Sequence, residues 1–218
     1  IGDDQLDGGA GTDWLFVTGT TNSVVDLSQT AAQNTGYGTD ILLNFEHASG
    51  GTGVDKLFGT VGDNVLNGND GNDILEGRDG NDILTGGQGD DTLSGGTGDD
   101  TIVGGGGDDT VGFQVDRSAA TVTDLGNGQV QIDSDDGTDV ISGVENFAFN
   151  DGTVDLATLL GNVSDSGSTT ITFVGTENDF IGTAFLDDDN NTSVDIVSNT
   201  GTQLVLKNSA TGYTSTLI

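Results

Sequence analysis

Six aspartates and one asparagine recur at intervals of nine residues: Asp55, Asn64, Asp73, Asp82, Asp91, Asp100 and Asp109. Glycine precedes each one at fixed offsets, at Gly50, Gly59, Gly68, Gly77, Gly86, Gly95 and Gly104 five residues before it, and at Gly53, Gly62, Gly71, Gly80, Gly89, Gly98 and Gly107 two residues before it. An aliphatic residue follows each at an offset of two, namely Leu57, Leu66, Leu75, Leu84, Leu93, Ile102 and Val111. A hard divalent cation such as calcium takes six to eight oxygen ligands, and carboxylate mixed with backbone carbonyl is its usual set. Glycines allow a tight turn whose carbonyls point inward, and the aspartate closes it.

Seven such units without a gap require a chain wound into a solenoid, with the aliphatic eighth position inside and one unit per half-coil. Turns of units n and n+2 then lie on the same edge, one strand spacing apart, about 4.8 Å, and one ion fits between them. That arrangement puts Asp55, Asp73, Asp91 and Asp109 on one edge and Asn64, Asp82 and Asp100 on the other. The expected carbonyl donors come from Gly50, Gly51 and Gly53, from Gly68, Asn69 and Gly71, and from Gly77, Arg78 and Gly80. The same holds for Gly86, Gly87 and Gly89, for Gly95, Gly96 and Gly98, and for Gly104, Gly105 and Gly107. Three gaps on the first edge and two on the second give about five calcium ions in the block. Asn64 brings no charge, which predicts the Asn64/Asp82 gap to be the weakest. The fifth positions (Asp63, Asn72, Asn81, Asp90, Asp99, Asp108) read as a solvated face, and Thr60, Asn69 and Arg78, which replace the second glycine, are expected to strain their turns.

Composition agrees with a metal-stapled rod. The 218 residues carry a net charge of −32, from 36 acidic against four basic residues, and they include 38 glycines, no cysteine and no proline. That charge excludes nucleic acid and insertion into an anionic membrane, and favours cations. With only 32% hydrophobic residues and no disulfide, the core is thin and another staple is needed. No run of apolar residues is long enough for a membrane span. The chain has no methionine, so it is expected to be a piece of a longer protein.

The unit recurs outside the block. Gly8, Gly9, Gly11, Asp13 and Leu15 complete one, and Gly2, Asp4 and Leu6 end another; Trp14, at a seventh position, is expected to face outward and to cover the open end of the solenoid. Residues 17–49 read as an insert of wider coils containing Asp40, with a strand at Ser23–Leu27. Gly38–His47 is matched residue for residue by Gly137–Asn146, which adds Asp139 and puts Asn146 in the place of His47, making that histidine a surface or turn hydrogen-bonding residue. Thr121–Leu125 and Gln129–Asp133 flank Gly126-Asn127-Gly128 as a β-hairpin, and strand Glu145–Asn150 and a short helix Val154–Leu160 follow. Strands are expected at Thr169–Val174, Phe180–Phe185, Ser193–Val197 and Gln203–Lys207, after a linker at Val163–Ser168. Asp187–Asn191 looks like the start of an EF-hand loop, but Thr192 and Ser198 replace its turn glycine and final glutamate, so it reads as an acidic loop.

Units such as Gly86-Gly87-Gln88-Gly89-Asp90-Asp91-Thr92-Leu93-Ser94 resemble the repeats-in-toxin (RTX) nonapeptide, the hemolysin-type calcium-binding repeat, over roughly residues 1–112. The resemblance implies an all-β fold built on a calcium-loaded parallel β-roll, in a protein exported by type I secretion that folds outside the cell. The organisation expected is a β-roll over 1–112, a β-rich capping segment over 113–161 and a small β module over 162–218. No zinc helix, nucleophile elbow, cysteine nucleophile or P-loop is present, so any catalysis belongs elsewhere in the parent chain. The leading expectation is a calcium-driven folding and export module. The alternatives are a glycan-binding accessory module, with extracellular polysaccharide as partner, and a structural segment of a surface adhesin or extracellular layer.

Overall fold

The computed structural model describes residues 2–160 and, beyond them, the strands Thr169–Thr172, Thr183–Leu186, Val194–Asn199, Leu204–Asn208 and Thr214–Leu217. Two compact units divide the chain, at Ile1–Leu160 and Gly161–Ile218.

In the first unit, alternate repeats build two parallel sheets that enclose one core. Strands Val65–Asp70, Ile83–Gln88 and Thr101–Gly106 form the centre of one, and Ile74–Asp79, Thr92–Thr97 and Thr110–Gly112 that of the other. Partners such as Leu66 with Leu84, and Leu75 with Leu93, lie two units apart, so one coil consumes two repeats. The central strands run from the seventh position through the third of the next unit, longer than the two-residue strand that the sequence suggests. The reason is that the glycine at the first position turns inward like the aliphatic eighth, and pairing resumes beyond it.

This alternation gives the interior two columns. Leu57, Leu66, Leu75, Leu84, Leu93, Ile102 and Val111 form the apolar one, each fully buried and worth roughly 1.5–3 kcal/mol of burial. The other is polar, made of first-position glycines and buried sixth-position carboxylates. A charge taken out of water costs several kcal/mol, so the apolar column does not carry its polar neighbour unaided.

Non-repeat segments extend both sheets. Upstream, Trp14–Phe16 and His47–Ser49 continue the first sheet, and Val24–Asp26 joins the second beside Lys56–Phe58. Gln5–Asp7 and Thr39–Leu43 pair in parallel, while Gln33–Asn34 runs antiparallel to the latter, so the insert is part coil and part hairpin. Downstream, the hairpin Thr121–Gly126/Gln129–Ser134 and the strand Gly152–Asp155 add antiparallel strands to the two sheets. The helix is shorter than expected, Leu156–Leu159, and its first turn is capped by the Asp155 side chain.

Trp14 faces outward as its position requires, but it does not cover the end. It is 40% exposed on the outer face, stacked on Phe16 at 5.4 Å and tilted against His47 at 4.9 Å. His47 accepts the Val65 amide through Nδ1, a hydrogen-bonding role. In the second unit, Thr169–Thr172 pairs antiparallel with Thr183–Leu186, and Val194–Asn199, Leu204–Asn208 and Thr214–Leu217 form an antiparallel sheet. The linker and the acidic loop at Asp187–Asn191 lie outside the described residues.

Candidate metal centre

Each sixth-position carboxylate reaches back one coil. On one edge Oδ1 of Asp73, Asp91 and Asp109 accepts the amide of Asp55, Asp73 and Asp91, at 2.7, 2.8 and 2.8 Å. On the other, Asp82, Asp100 and Asp139 accept from Asn64, Asp82 and Asp100, at 2.7, 2.8 and 3.0 Å. The grouping by edges follows the alternation of units, and Asp139 extends the second edge.

The second oxygen has no partner. Oδ2 of Asp13, Asp73, Asp82, Asp91, Asp100 and Asp109 is buried without a hydrogen bond among the described residues. It faces the first-position glycine of its own unit. A Cβ on Gly68 or Gly86 would strike Oδ2 of Asp73 or Asp91, and also the carbonyl of Gly86 or Gly104 in the next coil. The glycine column therefore keeps open a cradle lined by a bare carboxylate oxygen and a backbone carbonyl. No cluster of three or more His, Cys, Asp or Glu side chains occurs among the described residues, so a cation here depends on carbonyls for much of its shell, as the calcium ligand mixture allows.

Second and fourth positions adopt left-handed φ from Asn69 onward, at Asn69, Arg78, Gly87, Gly96 and Gly105 and at Gly71, Gly80, Gly89, Gly98 and Gly107. Asn69 (φ 77°) and Arg78 (φ 87°) therefore sit where a side chain is disfavoured, at a cost of about 1–2 kcal/mol for a residue without local compensation. Arg78 has compensation of another kind. Its guanidinium makes a two-pronged pair with Asp26, at 2.8 and 2.9 Å, and also donates to Ser28 and the Gly59 carbonyl. This pairing holds the Asp26 carboxyl well below the usual carboxylate range, against the opposing effect of burial.

The first two turns of the block differ. Gly51, Gly53, Thr60 and Gly62 are not left-handed, so the strain expected at Thr60 is absent. In these turns the second-position amide points inward: Gly51 donates to Asp55 Oδ2 and Thr60 to Asn64 Oδ1. Asp55 Oδ1 is taken by the amide and hydroxyl of Ser23, and the Asn64 amide group donates to the Glu46 carbonyl. Asp40 is also satisfied, by the Asp4 amide and the Thr35 hydroxyl.

The fifth-position face is exposed as expected but is not merely solvated. The amides of Asn81, Asp99, Asp90 and Asp108 donate to the side chains of Asp63, Asn81, Asn72 and Asp90 in the preceding coil. Each of these four turns is thus stitched backwards through position five and forwards through position six. A column of acids and amides at one spacing was the available sequence signal for this.

Burial, with neighbouring carboxylates reinforcing it, pushes the open-turn acids up: Asp73 and Asp139 to about 7, Asp82 and Asp91 to about 6. Asp100 and Asp109 are raised as well, for the same leading reason. The amide each one accepts works in the opposite direction and does not offset it. These carboxylates are poorly solvated and regularly spaced, and Asp73, Asp82, Asp91, Asp100 and Asp109 each lack one hydrogen bond, an environment that a cation would relieve.

Comparison with known families agrees. The model of the RTX calcium-binding nonapeptide repeat (4 copies) matches residues 1–19, 49–84 and 76–111. No curated protein gives a significant match. The matched residues carry most of the parallel coils and carboxylate ladders, and these segments are RTX calcium-binding repeats wound into a parallel β-roll.

Proposed function

We propose that this β-roll is a calcium-driven folding module of a larger secreted protein, which supports type I export and stabilises its parent outside the cell. The observation that carries this reading is the double row of buried, unpartnered Asp Oδ2 atoms. The proposed ligands are Asp73, Asp91 and Asp109 on one edge and Asp82, Asp100 and Asp139 on the other, together with the first-position carbonyls. Asp55 and Asn64 serve weaker gaps, because their oxygens already accept amides.

A cation that binds only the folded state adds about 1.4 kcal/mol per site when its concentration is tenfold above the dissociation constant. The four gaps 73/91, 91/109, 82/100 and 100/139 then contribute about 6 kcal/mol, which is comparable to the stability of a whole domain. At cytosolic calcium this contribution vanishes while the buried carboxylates still repel, so the module stays unfolded inside and folds on export. Any catalytic activity resides in other parts of the parent.

Circular dichroism in chelator and then in millimolar calcium tests the reading. A disordered spectrum that converts to β on calcium addition is expected. A full β spectrum in chelator would overturn it.

A further inference from the structure

The duplicated segments Gly38–His47 and Gly137–Asn146 build a turn unlike the nonapeptide turn. Leu43 and Ser142 occupy ninth-position register, and His47 and Asn146 seventh-position register. Three residues, Asn44-Phe45-Glu46 or Gly143-Val144-Glu145, thus cover what six residues cover in the repeats. Asn44 and Gly143 are both left-handed, with φ 55° and 60°, while Phe45 and Val144 pack into the core.

The glutamates take over the ladder where the turn is short. Oε2 of Glu46 accepts the Asp13 amide at 2.8 Å, and Oε2 of Glu145 accepts the Asp109 amide at 2.9 Å. This repeats the bond that Oδ1 of Asp73, Asp82, Asp91, Asp100, Asp109 and Asp139 makes, with one extra methylene supplying the reach that three missing residues remove. The cradle is present too. Asp109 is 0% exposed and its Oδ2 lacks a partner, as does Oδ2 of Asp13. A Cβ on Gly104 would strike the Gly143 carbonyl and Asp109 Oδ2, and one on Gly8 would strike the Asn44 carbonyl and the Asp13 side chain.

We infer that Glu46 and Glu145 each close a further calcium site, Asp13/Asn44 carbonyl/Glu46 at the upstream end and Asp109/Gly143 carbonyl/Glu145 at the downstream end. The duplicated segment is a short-turn calcium clasp that joins nonapeptide coils to non-repeat coils without leaving the last aspartate bare. The inference rests on the calcium reading above, and it adds ligands that the nonapeptide pattern does not contain.

Glu46→Gln and Glu145→Gln test it, because glutamine keeps an oxygen for the Asp amide and removes only the charge. Native mass spectrometry of the calcium-loaded chain should show one ion fewer in each variant and two fewer in the double variant. Terbium replacing calcium gives a second readout: Trp14 follows Asp13 directly and is the only tryptophan, so its sensitised terbium emission should be lost in Glu46→Gln and retained in Glu145→Gln. An unchanged ion count in both variants, even with lowered melting temperature, would show that the glutamates only position the turns and would overturn the inference. Absence of calcium from the wild-type chain would instead overturn the underlying functional reading.

Discussion

The turns Gly50–Asp55 and Gly59–Asn64 share their spacing with the turns that follow, yet one amide points the other way. In the first two, the second-position N–H bonds the sixth-position side chain of its own unit. From Asn69 onward the second residue is left-handed, the amide turns away, and the carboxylate oxygen is left bare. Composition alone does not separate them, since Gly51 is as free to be left-handed as Gly87. The neighbours do. The Thr52 and Val54 amides are bound by the Gly19 carbonyl and the Asn22 side chain, and Asp55 is held by Ser23, all from the insert. The second turn touches the insert through Asn64 and Glu46. The two turns that stack on the insert from its downstream side satisfy their own sixth-position side chains, while from Asp73 to Asp109 the second carboxylate oxygen has no protein partner. The block thus carries a protein-satisfied end and a body whose carboxylates lack that satisfaction.

Replacing one aspartate of each kind should break the comparison open. Asp91→Asn removes charge from two gaps, and in calcium tenfold above the dissociation constant it should cost about 3 kcal/mol. At limiting calcium this cost shrinks, because a buried, poorly solvated carboxylate is gone. Asp55→Asn should behave otherwise: it sets an amide N–H₂ against the Gly51 or Ser23 donors and costs about 1–3 kcal/mol, nearly the same with and without calcium. Urea unfolding of both variants at limiting and at saturating calcium distinguishes them. A calcium-independent loss for Asp91→Asn would erase the distinction between the two kinds of turn.

Acid should move the calcium-free chain next most. The open-turn carboxylates have folded pKa values raised to about 7 for Asp73 and Asp139 and about 6 for Asp82 and Asp91, from an ordinary 3.8. A group raised on folding contributes stability that is fully present below its unfolded value and is lost as pH rises through its folded value. In chelator at neutral pH the chain is disordered, and its β signal by circular dichroism should therefore rise as pH falls from about 7 towards 4. In calcium the same acid should weaken binding, since proton and cation compete for one oxygen. A β signal in chelator that falls over this window would contradict the burial of these groups.

Much of the body was legible in the sequence, and much of the ends was not. Columns of glycine, aspartate and leucine dictate the coil, its two-unit register and the two edges, because each column has only one place to go in a parallel stack. The opposed hydrogen-bond ladders were harder to see: the acids and amides at Asp63, Asn72 and Asn81 look like ordinary surface until a neighbouring coil presents its amides. Glu46 and Glu145 stand out of register with the sixth position, and only the three-residue turn brings them back to it. The conformation of the first two turns depends on Ser23 and Gly19, more than 30 residues away in the chain, and local pattern carries no trace of that. The position of Trp14 in its unit indicates the correct face, but its packing against His47 follows from tertiary arrangement alone.

The smallest effect should come from converting a closed turn into an open one. Thr60 is β-branched and resists left-handed φ, so Thr60→Gly supplies the freedom but leaves Asn64 neutral. Asn64→Asp supplies the charge and removes the donor that holds the Glu46 carbonyl, but its new carboxylate would still accept the Thr60 amide. Only the double variant combines a flexible second position with a charged sixth. Unlike Asp55, Asn64 is not clamped by Ser23, so its turn is the one free to open. Thr60→Gly/Asn64→Asp should gain one calcium ion by native mass spectrometry and about 1.4 kcal/mol in calcium tenfold above the site's dissociation constant, with each single variant gaining less than half of that. Equal gains in Asn64→Asp alone would mean that charge, and not the direction of the second amide, separates the two kinds of turn.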